Sequence, residues 1–238
     1  MAPIATPGRS STHRALAPLA GGLIVSCQAR PDNPLHGPTF MGAMARAAAD
    51  GGAVGLRVNG PDDIRAARAA TTLPIIGLLK RQYNDSPVVI TPTFAEAEAV
   101  ARAGATIIAL DATRRRRPDG TLVTTLIAQI HDSLGLPVLA DLAELTDALM
   151  AEDAGADAVA TTLSGYIDLA VPPPDEPDLA LVALFAQRLR VPVVAEGRIK
   201  TPAQARSALD RGAFAVVVGT AITNPREITS GFVRALSP

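Results

Sequence analysis

Eight short aliphatic runs alternate with eight Ala-rich stretches of helical spacing along this 238-residue chain, and that alternation predicts a (β/α)8 barrel. Two further observations favour a closed barrel over an open sheet. The helix-to-strand junctions alternate with a period of two units: Gly52-Ala53, Gly104-Ala105, Gly155-Ala156 and Gly212-Ala213 precede the even strands, while Leu73-Pro74, Leu136-Pro137 and Val191-Pro192 introduce strands three, five and seven. The composition is 48% hydrophobic but only 3% aromatic, without tryptophan, so the core is built from Ala, Val, Ile and Leu. Such a mix suits parallel strands buried on both faces under Ala-rich helices.

In chain order the strands are expected at Gly22–Cys27, Ala53–Val58, Pro74–Leu79, Thr106–Leu110, Leu136–Ala140, Ala156–Thr161, Val191–Ala195 and Ala213–Val218. The intervening helices are expected at Phe40–Asp50, Asp62–Ala70, Phe94–Ala103, Leu122–Asp132, Glu144–Ala154, Leu179–Leu189, Pro202–Arg211 and Pro225–Leu236. Glycine is the natural stop for a helix, and proline is tolerated where a strand begins because no interior ladder bond is lost there. Residues 1–20, with three prolines and a Ser-Ser-Thr run, read as a flexible arm, and residues 21–238 as one barrel domain. Arg9 and Arg14 before Ile24-Val25-Ser26-Cys27 superficially suit a cleaved lipoprotein leader, but Pro18, Gly21 and Gly22 interrupt the apolar stretch.

Charge and cysteine content narrow the function. A formal net charge of −1 supplies no general attraction to nucleic acid or to an anionic membrane. The single Cys27 forms no internal disulfide, and the three histidines are not spaced as metal ligands. No G-x-G-x-x-G follows the first strand, so dinucleotide binding has no support. A cytoplasmic location follows from these readings, with no nucleic-acid or membrane partner.

In a barrel of this kind, active groups sit at the carboxyl ends of the strands. Those positions carry Gln28, Arg57, Lys80, Asp111, Asp141, Thr161 with Thr162, Glu196 and Gly219. Lys80, Asp141 and Glu196 share the inward parity of their strands. Lysine is scarce: of 22 basic residues only Lys80 and Lys200 are lysines. An amine in an apolar barrel mouth has a lowered pKa and suits a general base or a Schiff base, tasks no guanidinium performs. Gly197-Arg198 and Gly219-Thr220 follow the last two strands, and their small residues let backbone N–H groups approach a phosphate. Part of the run Arg114–Arg117 is expected to line an anionic mouth and the rest to be solvated.

The segments Gly22–Gln28 (GLIVSCQ), Pro74–Gly77 with Lys80-Arg81, Ile108–Thr113 (IALDAT), Thr161–Tyr166 (TTLSGY), Ala195–Arg198 (AEGR) and Val218-Gly219 leading into Ala221-Ile222-Thr223 resemble the N-acetylmannosamine-6-phosphate 2-epimerase family. The likeness spans roughly residues 21–236. It implies a phosphate-binding (β/α)8 TIM barrel that interconverts N-acetylmannosamine 6-phosphate and N-acetylglucosamine 6-phosphate in amino-sugar and sialic acid catabolism. It also implies a homodimer that needs no metal and no organic cofactor. By the same resemblance Lys80 is the proton-transfer base, Glu196 its acid/base companion and Asp141 the orienting carboxylate. Gln28, Arg57, Thr162, Gly197, Arg198, Gly219 and Thr220 then hold the phosphorylated N-acyl amino sugar. Asn224 departs from the pattern, standing where family members often carry an arginine; the expectation is either a weaker phosphate affinity or Arg198 taking over as the phosphate contact. Two alternatives stay open at this level: a barrel acting on another sugar phosphate, and a non-catalytic sugar-phosphate sensor.

Overall fold

The computed structural model describes residues 15–167 and 172–237. Eight strands, β1 (Leu23–Cys27), β2 (Gly55–Asn59), β3 (Ile75–Leu78), β4 (Ile107–Asp111), β5 (Val138–Asp141), β6 (Ala158–Ala160), β7 (Val193–Glu196) and β8 (Ala215–Val218), form a closed barrel in sequence order. All pair in parallel, and β8 returns to β1 through Leu23–Val216, Ile24–Val217 and Val25–Val218. The helices are α1 (Pro38–Asp50), α2 (Pro61–Ala70), α3 (Phe94–Arg102), α4 (Val123–Leu134), α5 (Leu145–Asp153), α6 (Leu179–Arg188), α7 (Pro202–Asp210) and α8 (Pro225–Leu236). A one-turn helix, Thr220–Thr223, intervenes between β8 and α8. The predicted fold class is therefore the observed one, and every expected element is present within a few residues.

Local chemistry explains these boundaries. Four helices carry proline in their first turn, where the missing N–H has no intrahelical partner to lose. Helices α3 and α7 begin with capping boxes, Thr93 with Glu96 and Thr201 with Gln204. The glycines before the even strands all have positive φ, from 89° at Gly52 to 108° at Gly104, a conformation that costs other residues energy. Pro74, Pro137 and Pro192 lie just outside their strands and serve the ladder only as acceptors. Their carbonyls take the N–H groups of Leu56, Ile108 and Val159. Because a ladder needs both donor and acceptor, β3 starts one residue later, and β5 and β7 two residues later, than the apolar pattern suggests.

The barrel interior is a separate apolar cluster from the one beneath the helices. It contains Ile24, Ile76, Leu78, Ile107, Ala109, Leu139, Val194, Ala215 and Val217. Leu16 and Leu19 belong to it as well, and Leu19 is fully buried. A Cβ on Gly55 would lie 2.5 Å from Leu19 Cδ2, so Leu19 occupies the space that Gly55 leaves in β2. Gly21 N–H then bonds the Phe214 carbonyl (2.7 Å). This corrects the expectation of an arm over residues 1–20: residues 15–20 close the amino-terminal end of the barrel, because two leucines bury there. Residues 1–14 lie outside the described residues.

One helix stands apart. Helix α8 buries no residue, and Phe232, Val233 and Leu236 are 70%, 58% and 85% exposed.

Truncating the plug tests its contribution. Leu19→Ala should lower the unfolding free energy by about 2–5 kcal/mol, the range for a large aliphatic removed from a packed core. Turnover at a permissive temperature should stay within about twofold, since the cavity opens at the end of the barrel remote from the strand carboxyl ends. Urea unfolding and steady-state kinetics on the same preparation measure both.

Candidate active site

Strand alternation sends Arg57 from β2, Asp141 from β5 and Glu196 from β7 into the barrel, and they meet. Arg57 and Asp141 are both fully buried and form a bidentate pair, Nη1–Oδ1 at 3.1 Å and Nη2–Oδ2 at 2.7 Å. Thr162 Oγ1 donates to Asp141 Oδ1 at 2.6 Å, so both oxygens of this carboxylate are occupied. Glu196 is held differently. Its backbone is fixed by Thr161, whose hydroxyl donates to the Glu196 carbonyl (2.9 Å) and accepts from its N–H (3.1 Å). Its Oε2 lies 3.2 Å from Arg57 Nε, an ion pair without hydrogen-bond alignment.

Of the four buried polar atoms without a hydrogen-bond partner among the described residues, three belong to this cluster, Glu196 Oε2 and Arg57 Nε (ion-paired with each other) and Gln28 Oε1, and the fourth is Arg117 Nε near the end of β4. Gln28 is anchored through its amide nitrogen, which donates to Ser26 Oγ at 2.9 Å. An unsatisfied buried polar atom costs about 1–3 kcal/mol, so three at one rim mark a place built to receive polar ligand atoms.

Lys80 follows β3 at the same rim. Its backbone N–H donates to Asn59 Oδ1 (2.8 Å), and an antiparallel bridge pairs it with Ile90 across a hairpin. The side chain is open to the water of the mouth but flanked by protein. That partial desolvation, followed by the positive charge of Arg57, lowers its pKa, while Glu196 and Asp141 oppose the shift. Glu196 moves the other way: burial pushes its pKa up and Asp141 adds to this, against the pull of Arg57, Lys80 and Thr162. For Arg57, burial disfavours the charge, but Asp141 and then Glu196 outweigh it and hold the guanidinium above its ordinary value. The result is an amine and a carboxyl group drawn toward each other's titration range, which is the arrangement proton transfer near neutral pH requires. Among the described residues no group of three His, Cys, Asp or Glu side chains converges as a metal site would.

Across the mouth, Gly197 has φ 111° after β7, and Gly219 follows β8. A Cβ on Gly219 would lie 3.2 Å from Ser26 Cβ, so the turn packs closely on β1. Gly219 opens the one-turn helix in which Thr220 is exposed, and Thr223 Oγ1 donates to the Ser26 carbonyl at 2.8 Å. The structure thus brings Gln28, Arg57, Lys80, Asp141, Thr162, Glu196, Gly197, Gly219 and Thr220 to one end of the barrel.

Comparison with known proteins places the chain in a family. The family model described as "Putative N-acetylmannosamine-6-phosphate epimerase" (NanE) matches residues 41–238. The chain belongs to this epimerase family. It is 49% identical over 221 residues to a relative from Synechococcus elongatus, spanning 92% of this chain and 95% of that protein. A Cutibacterium acnes relative is 45% identical over 227 residues, with 94% and 98% covered. Both are named "Putative N-acetylmannosamine-6-phosphate 2-epimerase". The solved N-acetylmannosamine-6-phosphate 2-epimerase from Clostridium perfringens superposes with a TM-score of 0.90 at 41% identity, covering 99% of this chain and all of that one.

Within this epimerase-family barrel, three expectations need revision. Arg198, expected as a phosphate contact, has φ 59° and turns its guanidinium onto the loop after β6. It donates to the carbonyls of Ser164 (2.5 Å) and Glu176 (2.8 Å) and lies 5.5 Å from the Tyr166 ring centroid. With those donors engaged, Arg198 is a clamp on that loop. Asn224 caps α8 by accepting from Glu227 N–H (3.4 Å) and also accepts from Asn33 (3.2 Å), a structural task. The third revision concerns the arginine run. Arg114 pairs on the surface with Glu144 and Asp147, and Arg115 pairs with Asp111. Arg117, however, is fully buried. It donates to the carbonyls of Thr91, Pro92 and Asp111 and so joins the end of β4 to the return strand of the Lys80 hairpin. Thr91 itself sits at φ 45° and bonds Leu79 through both N–H and hydroxyl. Four consecutive arginines look alike in sequence, and no local signal singles out Arg117.

The raised pKa of Glu196 has a sign that can be checked. The folded protein takes up this proton at a higher pH than the unfolded chain, so ionised Glu196 destabilises the fold most above its folded pKa. Glu196→Gln should therefore be more stable than wild type at pH 8. The difference should shrink as pH falls and disappear below the ordinary carboxylate range. Denaturant unfolding between pH 4 and pH 8 measures it, and an advantage that grows as the pH is lowered would contradict the assignment.

Proposed function

We propose that this chain is an N-acylglucosamine-6-phosphate 2-epimerase that interconverts N-acetylmannosamine 6-phosphate and N-acetylglucosamine 6-phosphate. The meeting of Lys80, Glu196 and the Arg57–Asp141 pair at one barrel rim carries this reading. Epimerisation at C2 requires an acidic C2 proton, and that proton is acidic only when C1 is an open-chain aldehyde. Glu196, with one unpartnered oxygen and a raised pKa, shuttles the proton between O1 and the ring oxygen that opens the ring. Lys80, whose pKa is lowered by desolvation and by the neighbouring Arg57 charge, removes the C2 proton. The C–H electron pair becomes the C1–C2 double bond, and the carbonyl pair moves to O1. Arg57 stands beside Glu196 to stabilise that developing oxyanion. A proton returned to the opposite face of C2 completes the inversion. Asp141 has both oxygens filled, so it orients Arg57 and Thr162 and takes no part in the proton transfer.

The remaining assignments follow the same geometry. Gln28 and Thr162 contact the sugar, and Gly197, Gly219 and Thr220 receive the phosphate, whose binding energy holds C2 against Lys80. Every atom moved comes from substrate or side chains, so the step as written uses no cofactor. The enzyme would serve amino-sugar and sialic acid catabolism in the cytoplasm, in keeping with its one unpaired cysteine. We place it there as a homodimer. Helix α8 supports this: Phe232 and Leu236 are one turn apart, Val233 lies beside them, and among the described residues nothing covers this apolar face.

Purified protein given N-acetylmannosamine 6-phosphate in D2O should produce the epimer with deuterium at C2 by proton NMR. Lys80→Ala should lose both exchange and turnover by about 10²–10⁴-fold, the usual contribution of a general base. Unchanged turnover in that variant would remove Lys80 from the reaction. For the assembly, Phe232→Glu should convert a dimer to a folded monomer in sedimentation at micromolar concentration. Wild-type protein sedimenting as a monomer would refute the interface.

A further inference from the structure

A cavity of about 480 Å³ opens beside the rim, between the hairpin that follows β3 and the turn that follows β6. It adjoins the proton-transfer base and two positioning residues of the site. Ile90 is bridged to Lys80, Asp111 is the ladder partner of Asp141, and Leu163 directly follows Thr162. The lining is mixed and firmly held. Ile90 and Leu163 are buried, and Tyr83 is fixed by its hydroxyl donating to Glu96 at 2.8 Å. Tyr166 forms another wall with Arg198 over its ring. Arg115 donates to Asp111 (2.5 Å) and Thr113 (3.1 Å), and its Nη1 has no hydrogen-bond partner among the described residues.

If Lys80 takes the C2 proton, the nitrogen on that same carbon, with its acyl group, lies within a few bonds of Lys80. An acylamino group asks for a donor to its carbonyl and apolar surface for its alkyl end. Arg115 Nη1 offers the first, and Ile90 and Leu163 offer the second. The phosphate belongs to the β7 and β8 turns, at strands the cavity does not touch. A methylene fills on the order of 30 Å³, the volume of one water, so the cavity holds several beyond an acetyl methyl. We propose that this cavity is the acyl-selecting site and that it admits N-acyl groups longer than acetyl, through at least the four-carbon chain. The proposal rests on the epimerase reading above.

Steady-state kinetics of the full chain with N-acetyl-, N-propanoyl- and N-butanoylmannosamine 6-phosphate test it. Each added methylene should change kcat/KM by no more than about fourfold, the effect of burying one CH2. Leu163→Phe narrows the cavity from a wall that takes no part in proton transfer. It should reduce kcat/KM for the N-butanoyl substrate relative to the N-acetyl substrate by about tenfold or more, as steric selection in a pocket does. Turnover of the N-acetyl substrate with N-butanoyl rejected by more than about 100-fold would overturn the cavity assignment alone. Unaltered selectivity in folded Leu163→Phe would do the same, and should that variant not fold, the wild-type series decides. Absence of N-acetyl turnover would overturn the epimerase reading itself, and the acyl site with it.

Discussion

A guanidinium buried at the centre of the barrel governs the rest of this site. Arg57 lies where other barrels place an aliphatic side chain, and a lone charge there would be prohibitively costly. Asp141 satisfies two of its nitrogens and Glu196 faces the third at 3.2 Å. One cation thus serves two carboxylates in different ways. Asp141 is saturated by its two-point pair with Arg57 and by Thr162, whereas Glu196 meets Arg57 only through an ion pair without hydrogen-bond alignment and has a raised pKa. The same positive charge contributes to the lowered pKa of Lys80. Removing Arg57 would therefore disturb the titration of both proposed proton carriers and strand two carboxylates in a dry interior.

Positioning of Lys80 depends on an independent device. The hairpin after β3 folds back so that Ile90 pairs with Lys80 and Arg81 N–H reaches the Val89 carbonyl. Thr91 closes this hairpin in a left-handed conformation, strained for a β-branched residue. Buried Arg117 bonds the carbonyls of Thr91 itself and of Pro92 after it. The backbone carrying the amine is consequently tied to β2 through Asn59 and to β4 through Arg117 and Thr91. Such rigidity is what keeps a flexible lysine near one carbon atom. The other end of the barrel is closed by Leu16 and Leu19, which fill the space under a strand that carries glycine. Stability is concentrated at that end and at the flanks, leaving unsatisfied polar atoms affordable at the rim.

Much of this was legible from residue order. Period-two junctions and aliphatic runs predict the closed sheet, since each glycine sits where φ is positive and each proline where only an acceptor is needed. Inward parity brings Lys80, Asp141 and Glu196 together because a strand's side chains alternate strictly between its two faces. Arg198 escaped the same logic. Its place after β7 suggested a phosphate contact, yet a backbone at φ 59° redirects the side chain to the carbonyls of Ser164 and Glu176. The arm ended earlier than its prolines implied, because burial of Leu19 depends on a gap in β2, some 36 positions further along.

By itself, then, the amino-acid order determined the fold class, the strand ends that carry the polar cluster and the family. Those properties follow from local periodicity and from spacing along one strand at a time. Tertiary structure alone decided that Asp141 is saturated and Glu196 is not, that Arg117 is a buried tie while Arg114 is a surface cation, and that a cavity adjoins Lys80. Each of those facts depends on distances between segments far apart in the chain, and on how much water their packing removes, neither of which a linear pattern encodes.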